Sequence, residues 1–182
     1  TAFEQFDYAR ALERTEEFFW WFCDDYVELV KMRAYANRGD DQAMSARVAL
    51  QRALSTLQRL FAPFIPFATE VVWNWWNDSS VHLAPWPTDQ DLMAGVTQAS
   101  DDAVLNAVCS TIAFVRRTKT EAKVSQRAEV EHLTISGDAG TLRAVKAGLS
   151  DIEDAGSVKS TEFIEISGAE LTIDVRLVAP NV

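Results

Sequence analysis

The run LQRLFAPFIPFATEVVW, Leu57 to Trp73, carries Pro63 and Pro66 inside an otherwise apolar, helix-forming stretch. A proline in a helix interior removes a backbone donor and clashes with the preceding turn, at a cost of about 3 kcal/mol. One helix therefore has to end before this corner and another has to start within it. The corner is expected to set the angle between two helices, gathering Phe61, Phe64 and Phe67 against the face from Trp73 to Trp76. It reads as scaffolding.

Upstream, no proline or glycine interrupts the chain from Phe3 to about Asn37. Apolar residues recur there at helical spacing through Phe6, Ala9, Leu12, Phe19, Phe22, Tyr26, Leu29 and Val30. This predicts one long helix, apolar nearly all round in its second half. The NRGDD segment ends it, with Gly39 as the left-handed stop and Asp40 or Asp41 capping the next helix. That helix runs from about Gln42 to Phe61 on a stripe of Ala46, Leu50, Leu54, Leu57 and Phe61. A third follows the corner, with Thr69 and Glu70 in its first turn. Past the loop NDSSVHLAPWPTD, helical spacing resumes from Ser100 to about Glu121.

Beyond Arg127 the period changes. EVEHLTIS alternates as a strand, TLRAVKAGLSDI reads as a short amphipathic helix, and KSTEFIEIS and ELTIDVRLV are strands joined across Gly-Ala. The predicted fold class is mainly α. An antiparallel helical bundle occupies 1–88, a linker and further helix with a basic cluster occupy 89–127, and a small α+β unit occupies 128–182.

The 182 residues are 48% hydrophobic and 24% charged, as in ordinary globular proteins. No apolar run is long enough to span a bilayer and no basic-then-apolar leader opens the chain, so a cytoplasmic protein without a membrane partner is expected. Cys23 and Cys109 lack metal-site or disulfide spacing. The net charge of -10 speaks against nonspecific affinity for a polyanion. The cations nevertheless cluster. Lys31, Arg33, Arg38, Arg47, Arg52 and Arg59 face only Asp40 and Asp41 in their stretch, and Arg116, Arg117, Lys119, Lys123 and Arg127 face only Glu121 in theirs. Two local basic surfaces on an acidic body suit a selective electrostatic contact, although solvated helix faces would give the same pattern.

Three motifs carry a resemblance. LFAPFIPFATEVVW followed by SVHLAPWP is similar to the signature of the anticodon-binding domain of class I aminoacyl-tRNA synthetases for valine, isoleucine and leucine. FFWWFCDDYVELVK resembles that family's Phe-Cys-Asp-x-Tyr-x-Glu-x-x-Lys helix through Phe22, Cys23, Asp24, Tyr26, Glu28 and Lys31. FVRRTKTEAKVSQRAEVEHLTI resembles its Arg-x-x-x-Glu-x-x-Val pattern through Arg117, Glu121 and Val124. Among the members, the Phe-Cys-Asp helix with SVHLAPWP is most similar to the valyl enzymes, the isoleucyl and leucyl enzymes being the alternative. The chain departs from the family at Asp25, where an aromatic is common.

The resemblance implies a C-terminal module that binds tRNA, with valine isoacceptors expected, beside a catalytic domain of the same polypeptide. ATP and magnesium would serve that catalytic domain, and no cofactor is expected in this part. The family's His-Ile-Gly-His and Lys-Met-Ser-Lys-Ser signatures are missing; His82 and His132 lie far apart, and KMRAY shares only two letters with the second. RNA loops are read by stacking splayed bases on rings and bonding their edges. Phe22, Asp24 and Lys31 are the expected base contacts, since ring, acceptor and cation occur together there. Arg33, Arg38, Arg116, Arg117, Lys119 and Lys123 are the expected phosphate contacts. Core packing is the competing role for Phe22 and Tyr26, and packing is expected for Trp20, Trp21, Trp73, Trp75 and Trp76. A helical protein-interaction module is the alternative from another functional class.

Overall fold

The computed structural model describes residues 2–36, 39–94 and 102–178. Two compact units share the chain discontinuously: residues 1–27 with 38–99, and residues 28–37 with 100–182.

The first unit is helical. Its first helix, α1 (Tyr8–Trp21), starts later than Phe3 because Phe6 adopts a left-handed backbone (φ 58°). Asp7 then caps the helix by accepting from Arg10 N–H at 3.1 Å. A π-helical segment, Phe22–Val27, follows directly, so the long uniform helix expected from periodicity is not uniform. The next helix of this unit is α3 (Asp40–Phe61). Its N-cap is Gly39 itself (φ 96°, ψ 165°), with Asp40 and Asp41 inside the first turn. The left-handed stop sits earlier, at Ala36 (φ 65°).

The proline corner behaves as the local rules require. Ala62 is the C-cap of α3, one residue before Pro63, and α4 (Pro66–Trp73) opens with Pro66 at its N-terminus after a non-helical Ile65 (φ -128°, ψ 62°). Its packing differs from expectation. Trp73 is buried with Ala62 and Val81, but Phe67 is 87% exposed and Trp75 is 72% exposed. Phe61 turns to Phe19 (5.6 Å between ring centroids) and Phe64 to Phe3 (6.1 Å). The three phenylalanines diverge because the broken backbone places them on different sides of the corner. Trp20 and Trp76 are also exposed, so among these tryptophans burial is confined to Trp73 and, in part, Trp21.

Glu70 ties the loop after α4 back to that helix. It accepts from Val81 N–H (2.9 Å), the Ser80 hydroxyl (2.9 Å) and the Asn74 amide (3.3 Å). Desolvation opposes its ionisation, but these donors and nearby His82 hold the carboxyl below the ordinary glutamate range. The loop contains a short 3-10 turn, Val81–Leu83, and leads to α5 (Asp89–Met93), which begins with a capping box between Thr88 and Asp91.

The second unit packs α2 (Glu28–Ala34) and α6 (Asp102–Glu121) with a small α+β assembly. The sheet has the order β2-β1-β3, built from β1 (Val130–Gly137), β2 (Thr161–Glu165) and β3 (Thr172–Leu177). β2 is parallel and β3 antiparallel to β1. Although joined across Gly168 and Ala169, β2 and β3 lie on opposite sides of β1, and Ile166 N–H bonds Gly137 O (2.9 Å) where the chain rounds the strand end. Val130, Leu133 and Ile135 are fully buried. Val130 and Leu133 share a face despite their odd separation because the ladder bulges between Val130 and His132. Each such side chain contributes about 1.5 to 3 kcal/mol by leaving water.

The helix predicted over 141–152 is two, α7 (Ala139–Ala147) and α8 (Leu149–Gly156). They break at Gly148, where the backbone comes so near α6 that a Cβ would overlap Val108 Cγ2. The stripe Val108, Thr111, Ile112, Val115 and Lys119 faces this core, and α2 packs on α8. The His132 ring bonds Ser160 Oγ (2.8 Å) and Glu162 Oε2 (3.2 Å), linking β1 to the segment that starts β2.

Candidate nucleic-acid interface

In the first unit the rings form a ladder along the helix. Phe22 stacks on Phe18 (5.8 Å, interplanar 23°) and on Tyr26 (5.5 Å, 20°), and the π segment also brings Trp21 within 6.2 Å of Tyr26, five residues on. Phe22 is only 8% exposed. With rings four residues before and after it, it has no open face for a base, so core packing wins over the base contact expected of it. Asp24 is exposed in the same segment. Phe18, which motif reading passed over, is the exposed end of the ladder.

Phe18 also borders a groove of about 470 Å³ with Ala49, Arg52, Ala53, Thr56 and Leu92. A second cavity of about 530 Å³ shares Arg52, Thr56 and Leu92 as a wall and extends past Arg59 and Trp73 to Pro85. The arginines of this wall are engaged. Arg52 donates to Leu92 O (3.1 Å) and to Ala94 O. Arg59 donates to Ser55 O (3.2 Å) and Pro85 O (3.2 Å) and pairs with Asp91 (3.5 Å). Thr88 N–H and its hydroxyl, aided by Arg59, hold the Asp91 carboxyl below its usual range against the pull of desolvation. These arginines fasten the segment around α5 to α3.

In the second unit, Lys31 pairs with Glu28 (2.5 Å) and keeps a partly exposed side chain. Arg33 pairs with Asp151 at the start of α8 (3.0 Å), with both side chains largely buried. That ion pair supplies the structural partner the phosphate assignment had not foreseen. Arg38 lies outside the described residues.

At the far end of α6, Lys119 is 1% exposed and its Nζ donates to Gly156 O (2.7 Å) and Gln126 O (3.0 Å). Desolvation, with Arg116 adding repulsion, pushes its pKa below the ordinary lysine range. The expected phosphate contact at Lys119 is therefore corrected: its charge is turned inward onto two carbonyls. Arg116 is half-buried, Arg117 forms an exposed pair with Glu121 (2.9 Å), and Lys123 is exposed. Arg127, counted in the basic cluster but not among the expected contacts, is exposed on the turn that follows. Arg117, Lys123 and Arg127 are therefore exposed near the end of α6 and on the segment after it, and exposed cations are the groups that contact phosphates.

The first unit thus carries a stacked ring ladder, and the second carries exposed cations near a helix end. The chain belongs to the family described as anticodon-binding domain of tRNA ligase, which matches residues 1–135. Over 97% of its length it is 51% identical to a valine–tRNA ligase of Thermobifida fusca (strain YX), covering 20% of that protein. It is 46% identical over 97% of its length to the valine–tRNA ligase of Salinispora arenicola (strain CNS-205), covering 22% of it. The valine–tRNA ligase of Leifsonia xyli subsp. xyli (strain CTCB07) is 46% identical over 94% of the chain, which covers 19% of it. The chain thus spans about a fifth of the length of these relatives.

Proposed function

We propose that the chain is the tRNA-anticodon-binding part of a valine–tRNA ligase. The full-length enzyme would join valine to its tRNA in the cytoplasm, at a catalytic domain of the same polypeptide that uses ATP and magnesium. The observation that carries this reading is the similarity to valine–tRNA ligases along nearly the whole chain, with 51% identity in one case. The exposed cations at the end of α6 support it chemically, since phosphates dominate affinity for nucleic acid. Among the described residues no helix is long and apolar enough to cross a membrane.

In this reading Asp24 and Lys31 face anticodon bases, while Arg117, Lys123 and Arg127 contact phosphates, with Arg116 beside them. Each base stacked on a ring such as Phe18 would add about 1 to 3 kcal/mol. A titration with transcripts of valine tRNA and of tRNAs bearing other anticodons tests the proposal. The expected result is tighter binding of the valine transcript, with affinity falling as salt rises by a log-log slope of about -0.7 per phosphate contacted. Equal affinity for every anticodon would remove the specificity, and salt-independent or absent binding would remove the function.

A further inference from the structure

The turn after α6 is closed by a pattern that glycine ordinarily completes. Val124 N–H donates to Lys119 O (3.0 Å) and Lys123 N–H to Thr120 O (3.0 Å). These are the crossed bonds of a helix end whose next residue is left-handed. Lys123 is that residue, at φ 55°, where glycine sits freely and a side chain with a Cβ is strained. A lysine kept at a strained position is a reason to look for function there.

The same turn is held from two sides. From the interior, Lys119 Nζ joins Gln126 O to Gly156 O at the C-terminal end of α8. From the solvent side, Gln126 Nε2 donates to Arg116 O (3.2 Å) and Thr120 Oγ1 (3.0 Å). Within the turn, Arg127 N–H donates to Ser125 Oγ (3.2 Å) and Ala128 N–H to Ser125 O (2.8 Å). Lys123 and Arg127 are exposed at its surface.

Stability alone does not explain Lys119. Burying an ammonium is unfavourable, and an apolar side chain of similar volume often serves a core as well or better. What the ammonium adds is a fixed link between two backbone carbonyls of separate segments. We infer that Lys119 is a positioning residue for nucleic-acid binding: it presets the 122–127 turn so that Lys123 and Arg127 form a ready-made contact for two phosphates. A preset turn loses less freedom on binding than a loose one, so affinity rises without any contact from Lys119 itself. This rests on the reading that the chain binds tRNA.

The test is a salt series of valine tRNA transcript titrations with the chain and its variants. The double variant Lys123→Ala, Arg127→Ala should lower the steepness of the log-log salt dependence by about 1.4, the share of two phosphates. Lys119→Met should lower it comparably while circular dichroism still reports a folded chain, and should add little when built into the double variant. Amide exchange at Val124 and Ala128 should quicken in Lys119→Met. A folded Lys119→Met with the unaltered chain's slope, or with a fully additive effect on the double variant, overturns the inference and leaves the functional reading intact. Should Lys119→Met fail to fold, Gln126→Ala, which loosens the turn from its exposed side, must flatten the slope; an unchanged slope there also overturns it. If the unaltered chain itself shows no salt-dependent binding, the functional reading falls and takes this inference with it.

Discussion

The stretch from Lys31 to Arg59 and the stretch from Arg116 to Arg127 look alike in sequence, each dense in cations and poor in acids, yet the fold uses them differently. In the first, Lys31, Arg33 and Arg59 pair with Glu28, Asp151 and Asp91, and Arg52 donates to the carbonyls of Leu92 and Ala94. Phe22, the ring nominated beside them, is enclosed by Phe18 and Tyr26. In the second, Lys119 turns inward, whereas Lys123 and Arg127 remain on the surface. The Arg117–Glu121 pair is exposed and contributes only about 0.3 to 0.5 kcal/mol, so a phosphate could replace the carboxylate readily. A cation in such a run turns inward where the fold delivers an acceptor to it from a distant segment, as Asp151 does for Arg33 and Gly156 for Lys119.

The largest expected effect tests the enclosed ring. Phe22→Ala should lower stability by about 4 kcal/mol in denaturant unfolding, the range for a buried phenylalanine. A loss under about 1 kcal/mol, accompanied by weaker tRNA binding, would return the ring to the interface and blur the contrast between the stretches.

Arg33→Ala comes next. It leaves Asp151 without its partner in a largely buried site, and breaking such pairs costs about 3 kcal/mol. If the melting temperature held and only tRNA affinity fell, Arg33 would belong with the phosphate ligands after all.

Lys123→Gly sharpens the comparison because its two effects run in opposite directions. Relief of the left-handed strain should raise stability by about 1 kcal/mol, while removal of a cation should flatten the salt slope by about 0.7. Calorimetry and the salt series read these separately; a chain both stabler and unchanged in RNA binding would leave Lys123 with no role at the surface.

Lys31→Ala should have the smallest effect on the fold. Its pair with Glu28 three residues earlier contributes no more than about 0.5 kcal/mol, so the melting temperature should barely move while tRNA affinity declines. A marked drop in melting temperature would assign Lys31 to structure, and the first stretch would then be internal throughout its described cations from Lys31 to Arg33.

Much of the architecture was legible because its signals are local. The break at Pro63 and Pro66, the strand β1 and the helix-strand-helix-strand-strand order follow from backbone constraints and periodicity. The division of TLRAVKAGLSDI into α7 and α8 was not, since Gly148 departs from helical geometry where α6 approaches it. The π segment was equally hidden: a helical repeat of apolar residues does not reveal an extra residue in one turn. Of the nominated site, Lys123 stayed at the surface, whereas Phe22 and Lys119 did not, because exposure depends on neighbours remote in sequence, such as Gly156 for Lys119.

By itself the sequence determined where helices must stop, which period each segment follows, and which family its three motifs resemble. All of these depend on residues close together in the chain. Only the tertiary structure decided which cations are internal ties and which remain exposed. That choice depends on acceptors delivered from distant segments, and burying a charge is tolerated only where such acceptors meet it.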